Sequence, residues 1–231
     1  MFFGLDSYYL IAMGLGLLLS LIASARVKSA FNKYAKIGVQ SGMTGAEAAL
    51  AVARAGGVTD ITVERHQGFL SDHYDPRSKT LRLSPEVHDG RSISSIAVAA
   101  HEAGHSIQDV EAYAPLAYRS FLVPITNFGS RFWIWPIILG GMFARGDTMF
   151  MNIGIVLFST VVLFQLVTLP VEFNATKRAK QVLAKTGIVS TQEEAVGVSK
   201  VLDAAAMTYV ASALGSIMQL IALVLRARDR G

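Results

Sequence analysis

No charged residue stands between Thr148 and Val171, a run of 24 residues. Such a run can be a wholly buried core helix or a membrane span, and about 20 apolar residues of helix cross the hydrocarbon of a bilayer. The rest of the chain favours the membrane. Tyr8 to Ala25 is also free of charge, with Leu5 extending it past Asp6 and Ser7. Phe121 to Ala144 is broken only by Arg131, and Ala204 to Leu225 is charge-free again. With 52% hydrophobic and 16% charged residues and a mean hydropathy of +0.43, the chain is too apolar for an ordinary soluble domain.

Arg26, Lys28, Lys33 and Lys36 follow the first apolar run at once. A cleaved signal peptide would carry its charges before the apolar stretch and small residues after it. Residues 1–25 therefore read as a retained N-terminal membrane anchor, with Tyr8 and Tyr9 at the interface. Residues 26–118 form a lobe, and 119–171 form a membrane hairpin turning at Arg145-Gly146-Asp147. Pro124 and Pro136 make the first arm irregular, either a kinked span or a re-entrant piece, and Trp133 and Trp135 suggest an interface. Residues 172–203 are returning helices, and 204–231 a C-terminal membrane helix with a basic tail. Thr208, Tyr209, Ser212, Ser216 and Gln219 suggest that one side of this last helix faces protein. The expected fold is a mainly α integral membrane protein with about four transmembrane or membrane-embedded helices. Lys and Arg cluster beside the lobe, which puts it in the cytoplasm and Met1 outside. Arg226, Arg228 and Arg230 fit only if the earlier bias dominates or the last segment does not fully cross. The positive charges flank apolar runs, which suits a lipid bilayer and not nucleic acid.

Within the lobe, Thr44-Gly-Ala-Glu47 is a capping-box pattern that opens a helix over 46–55, and Gly56-Gly57 ends it. Thr191-Gln-Glu-Glu194 is a second box. Residues 58–63 and Thr80 to Ser84 read as strands of a small antiparallel sheet. Its edge at Thr80 to Ser84 could pair with an extended peptide. Ser92 or Ser94 can cap the helix that follows.

That helix carries His101-Glu102-Ala-Gly-His105, an H-E-x-x-H pattern. Residues four apart share a helix face, so both imidazoles can meet one metal ion. Glu102 sits beside that face, where it can take a proton from metal-bound water. Zinc makes such water acidic enough to act near neutral pH. This is the zincin arrangement, so the lobe is expected to be zincin-like. Gly104 would let other backbone approach the metal. The chain has no cysteine, so the ligands are His, Asp or Glu, as in catalytic zinc sites. His66, His73 and His88 have no partner at ligand spacing. The third-ligand candidates after His105 are Asp109, Glu111, Glu172, Glu193, Glu194 and Asp203. Glu172 is favoured: it stands where the hairpin returns, and a carboxylate beside a long apolar run needs a reason to be there.

HEAGH, the apolar hairpin, and Pro170-Val-Glu172-Phe-Asn174-Ala-Thr-Lys-Arg-Ala179 resemble the YugP-type neutral zinc metallopeptidases of bacterial membranes. His73-Tyr-Asp-Pro-Arg-Ser-Lys-Thr-Leu-Arg-Leu-Ser84 and Met207-Thr-Tyr-Val-Ala211 fit the same family. More distantly the chain is similar to HtpX-like and CAAX prenyl proteases. The resemblance implies a gluzincin with Glu172 as third ligand and proteolytic activity; the expected partner is a membrane-associated polypeptide substrate. In those relatives the Glu opens an E-x-x-x-D element; here that position is Thr176, so its supporting contact does not carry over.

The expected function is a membrane-anchored zinc endopeptidase in the cell membrane, with Tyr209 as a candidate oxyanion partner. An intramembrane protease is disfavoured because Asp89, Arg91, Asp109 and Glu111 leave too short an apolar run around the motif. A di-iron bundle would need a second E-x-x-H element. The alternative outside enzymology is a membrane scaffold or chaperone with a vestigial metal site.

Overall fold

In chain order the elements are α1 (Ser7–Tyr34), α2 (Gly45–Ala55), β1 (Thr62–Arg65), β2 (His73–Asp75), β3 (Thr80–Leu83), α3 (Pro85–His88) and α4 (Ile93–Val110). They are followed by α5 (Ala114–Phe132), α6 (Ile134–Phe143), α7 (Thr148–Thr186) and α8 (Gln192–Arg228). The structure is a computed structural model that describes residues 7–68, 71–143 and 148–228. The expected turn at Arg145-Gly146-Asp147, Met1 and Arg230 lie outside the described residues. The chain divides into two units, one of residues 24–116 and 171–207, the other of 1–23, 117–170 and 208–231.

Capping sets the helix starts of the first unit. The Glu47 N–H donates to the Thr44 hydroxyl at 3.2 Å, and the Thr44 N–H donates back to the Glu47 carboxylate at 2.7 Å, completing the first capping box. Gly57, at φ +87°, carries the chain out of α2. Ser92 accepts the Ser95 N–H and opens α4. At the start of α8 the Thr191 N–H donates to Glu194 at 3.0 Å and the Glu194 N–H to Thr191 at 3.1 Å. Glu194 also accepts the N–H groups of Gln40 and Ser190. It is a buried structural cap, which removes it from the ligand candidates.

The apolar face of α4, Ile93, Ile96, Ala97, Ala100 and Ala103, lies at the centre of this unit's core. Around it are Ala48, Ala49 and Val52 of α2, Leu81 and Leu83 of β3, Ala179 and Leu183 of α7, and Val198, Val201 and Leu202 of α8. Small residues on α2 and α4 let the two helices pack closely.

The sheet corrects the sequence reading in two ways. It is mixed and not antiparallel: the order is β1-β3-β2, with β1 parallel to β3 and β2 antiparallel to it. The tight turn after Asp75 forces β2 and β3 antiparallel. The longer path from Arg65 to His73 lets β2 take the far side, so β3 lies between the other two strands. Thr80 to Ser84 is consequently no edge and cannot take a substrate strand. Its buried Leu81 and Leu83 face the core.

The second unit holds apolar segments of α1, α7 and α8, and all of α6. Three helices among the described residues, α1 from Tyr8, α7 and α8, are long and apolar enough to cross a membrane. Side chains such as Leu17, Leu21, Val156 and Ile221 point outward from them, an apolar surface unsuited to water. Inside, Tyr9, Phe158, Val162, Ala222 and Leu223 cluster, and the Gln219 amide donates to the Tyr9 hydroxyl at 3.1 Å. Gln219 thus meets protein, as expected of one side of α8. The fourth expected span is not one helix. It divides into α5 and α6 at Trp133. Pro136 has no N–H for the carbonyl of Phe132, the last residue of α5, and is tolerated in the first turn of α6. Pro124 and Pro170 lie inside uninterrupted helices.

Because β3 is central, Arg82→Pro should remove a ladder bond and unfold the lobe, where an edge strand would have tolerated it. Thermal melts should show Arg82→Pro well below Arg82→Ala; equal melting points would contradict the strand order.

Candidate metal centre

The helical repeat of α4 brings His101 and His105 to one face. Their ring centroids are 4.9 Å apart, with planes at 82°, so the rings converge edge to face and do not stack. Glu172 arrives on α7. Its Oε2 lies 3.2 Å from His101 Nε2 and 3.6 Å from His105 Nε2, and the carboxylate is buried, with 1% of its side chain exposed. Gly104 permits this approach. A Cβ there would stand 2.7 Å from the Ala175 carbonyl oxygen, closer than a methyl group can sit, so α4 and α7 meet backbone to backbone one turn from the carboxylate.

The donor set fits zinc. Two imidazole nitrogens and one carboxylate oxygen, all within 4.8 Å of one another, make up a three-ligand set that leaves a fourth position open. Zinc bonds of about 2.0–2.1 Å in a tetrahedron require donors roughly 3.3 Å apart, and the two measured separations bracket that value. Among the described residues this is the one group of three or more such side chains that could hold a metal.

The outer nitrogens of both rings are engaged. His105 Nδ1 lies 3.0 Å from Gln108 Oε1, and His101 Nδ1 lies 3.3 Å from Thr176 Oγ1. Both contacts hold the rings from their outer side, so that the Nε2 atoms of both face Glu172. Sequence reasoning left Thr176 without a role and passed over Gln108. The available signals were their positions: Gln108 lies three residues after His105 on the same helix, and Thr176 four after Glu172.

Glu102 is nearly buried beside His101, and accepts no hydrogen bond from a described residue. Its charge is felt at Asp72. Burial pushes the Asp72 carboxyl above its usual range, the Ser84 N–H at 2.7 Å works against that, and the Glu102 carboxylate adds to the rise.

The other candidates are engaged elsewhere. Asp109 accepts the Tyr74 hydroxyl at 2.9 Å, Glu111 pairs with Arg178 at 2.6 Å, and Asp203 pairs with Lys180 at 2.6 Å. Glu193 is exposed on the first turn of α8. His73 Nδ1 meets the Ser71 carbonyl and its ring packs edge-on against His66, 5.3 Å between centroids, while His88 pairs with Asp89. None of the three joins the metal group. Tyr209 lies on α8 in the other unit, half-buried.

Comparison with known proteins agrees with this chemistry. The family described as "Putative neutral zinc metallopeptidase" matches residues 9–228. The "Putative membrane protease YugP" of Bacillus subtilis (strain 168) is 47% identical over 207 residues, covering 90% of this chain and 91% of that protein. No solved structure matches the chain.

The Gly104 contact yields a direct test. Gly104→Val should drive α7 from α4 and weaken metal binding, measured by chelator competition, more than it lowers the melting temperature of the metal-free protein. Unchanged affinity would mean that the close approach does not set the site.

Proposed function

The chain belongs to the family of "Putative neutral zinc metallopeptidase" proteins, and from that premise we propose that it is a membrane-anchored zinc endopeptidase of the gluzincin type. The observation that carries the reading is the convergence of His101, His105 and buried Glu172, with Glu102 next in sequence to the first histidine. His101, His105 and Glu172 would hold the metal. Zinc bound there would supply Lewis-acid activation of water and of the peptide carbonyl.

The protein's own part is proton movement and alignment. Glu102, as general base, takes a proton from the attacking water and passes it to the leaving amine. His101 and His105 are held at their outer nitrogens by Thr176 and Gln108 and so keep their Nε2 atoms aimed at a single point. A polypeptide substrate would pair with β2, whose second edge carries no strand among the described residues and whose Tyr74 reaches Asp109 at the end of α4.

Two substitutions separate binding from chemistry. Glu102→Gln should keep full zinc content and lose roughly 10²–10⁴-fold in peptide cleavage, the usual contribution of a general base. Glu172→Ala should lose both zinc and cleavage, while Glu193→Ala changes neither. Stoichiometric zinc in Glu172→Ala would reject the ligand set. Absence of zinc from wild type purified without chelator would favour a scaffold with a vestigial site, and equimolar zinc would argue against it.

The reading includes a multi-pass location in the cell membrane with the lobe in the cytoplasm. Its support is the three apolar helices and the basic residues that follow the first of them. The chain has no cysteine, so Arg77→Cys gives a single exposed thiol in the lobe. It should resist an impermeant maleimide in intact cells and react after lysis; labelling of intact cells would reverse the orientation.

A further inference from the structure

Gly129 and Gly154 fix how deep α5 and α6 lie. A Cβ on Gly129 would stand 2.7 Å from the Leu157 carbonyl oxygen, and one on Gly154 would stand 2.9 Å from the Trp133 carbonyl oxygen. One turn before Gly129, the Thr126 hydroxyl donates to the Thr160 carbonyl at 3.3 Å. The α5–α6 pair therefore runs antiparallel to α7 and in backbone contact with it. Leu157 to Thr160 lies near the middle of the charge-free run 148–171. At about 1.5 Å per residue, Leu157 is about 14 Å from one end of that run and about 21 Å from the other, well inside a hydrocarbon layer of about 30 Å. Side chains that α5 turns outward at this level face lipid tails. They include Asn127, Ser130 and Arg131, all exposed. Spaced three and four apart, the three make one stripe. The Ser130 hydroxyl donates to the Asn127 carbonyl at 3.2 Å. Among the described residues neither the Asn127 amide nor the Arg131 guanidinium has a hydrogen-bond or ion-pair partner.

Unpaired polar groups in hydrocarbon are costly, and a charged one more so. Arg131 alone could be met by a lipid phosphate, because its long side chain can snorkel toward the Thr148 end of α7. Asn127 cannot: its side chain is short and stands level with the middle of the run. Beside the stripe rises an apolar ridge. Phe121, Ile125, Phe128 and Phe132 are all exposed, and the last two rings are 4.8 Å apart. A ridge next to a polar line suits a packed helix and not a water-filled crevice. We propose that this face of α5 binds a membrane-spanning helix of another protein that carries an Asp or Glu near mid-depth. The carboxyl group pairs with Arg131, and Asn127 hydrogen-bonds the same helix one turn away. The inference rests on the multi-pass reading, but not on the metal or on proteolysis.

The chain's two tryptophans, Trp133 and Trp135, follow directly on this face, so energy transfer from them to a dansylated peptide reports docking. The probes are synthetic leucine–alanine helices of about 20 residues, one with Asp at its centre and one with Leu there, added to full-length protein in phosphatidylcholine nanodiscs. Wild type should bind the Asp helix about tenfold more tightly than the Leu helix. Arg131→Leu should remove that preference, Asn127→Leu should reduce it, and Arg131→Lys should keep part of it, with melting temperatures unchanged. Equal binding of the two helices, or a preference that survives Arg131→Leu, would overturn the proposal. So would loss of the preference on adding phosphatidylglycerol, which would give Arg131 to a lipid phosphate. A wild-type dimer that Asn127→Leu dissolves would overturn it too, by giving the face to a second copy. The cysteine-free chain separates docking from the membrane reading. Asn127→Cys and Val156→Cys, exposed on α5 and α7, should both resist an impermeant maleimide in nanodiscs. Labelling of Asn127→Cys alone would reveal a water-filled crevice and overturn the docking site. Labelling of both would overturn the multi-pass reading and the proposal with it.

Discussion

The arrangement depends on keeping a carboxylate almost wholly out of water in a lobe whose core is alanine, isoleucine, valine and leucine. Removing an ion of that kind from water costs on the order of several kcal/mol even after relaxation, which no nearby apolar packing compensates. Glu172 is tolerable there because two imidazoles meet it from α4, and a divalent cation would offset the cost further. Other features of the site serve that meeting. Gly104 removes the side chain that would keep α7 away. Thr176 and Gln108 turn the imidazoles to present Nε2.

Much of the fold was legible because its signals are local. A capping box spans four residues, and both boxes opened helices where the sequence put them. Charge-free runs likewise announced α1, α7 and α8. The sheet was misread because strand order is not local: alternation around Leu81 and Leu83 marks a strand, but which neighbours flank it depends on how the chain passes from Arg65 to His73. Pro136 was recognised as a disturbance, yet Pro124 and Pro170 sit in unbroken helices. A proline in the sequence thus did not by itself locate the break in the expected fourth span.

The centre shows the same division. His101, Glu102 and His105 are one helical turn and could be read directly. Glu172 could be reached by asking what a carboxylate is doing beside a 24-residue apolar run. Gln108 and Thr176 could not, because their meaning comes from contacts that join α4 to α7, between residues more than sixty apart in sequence. Glutamine and threonine in amphipathic helices are ordinary, and nothing in their spacing distinguishes a histidine partner from a solvated side chain.

Glu194 sharpens the criterion. It too is a buried glutamate, almost as inaccessible as Glu172, and burial alone would rank the two together. Their partners separate them. Glu194 is surrounded by backbone N–H groups of Gln40, Ser190 and Thr191, fixed donors that can do nothing but donate, so its charge is consumed in ending loops and starting a helix. Glu172 faces ring nitrogens, which can donate, accept or coordinate according to the tautomer. A carboxylate among fixed donors is a structural cap. One met by ring nitrogens that can exchange a proton for a metal ion is a candidate ligand. That difference in partner chemistry, more than depth, makes the α4–α7 junction the place to look for a metal.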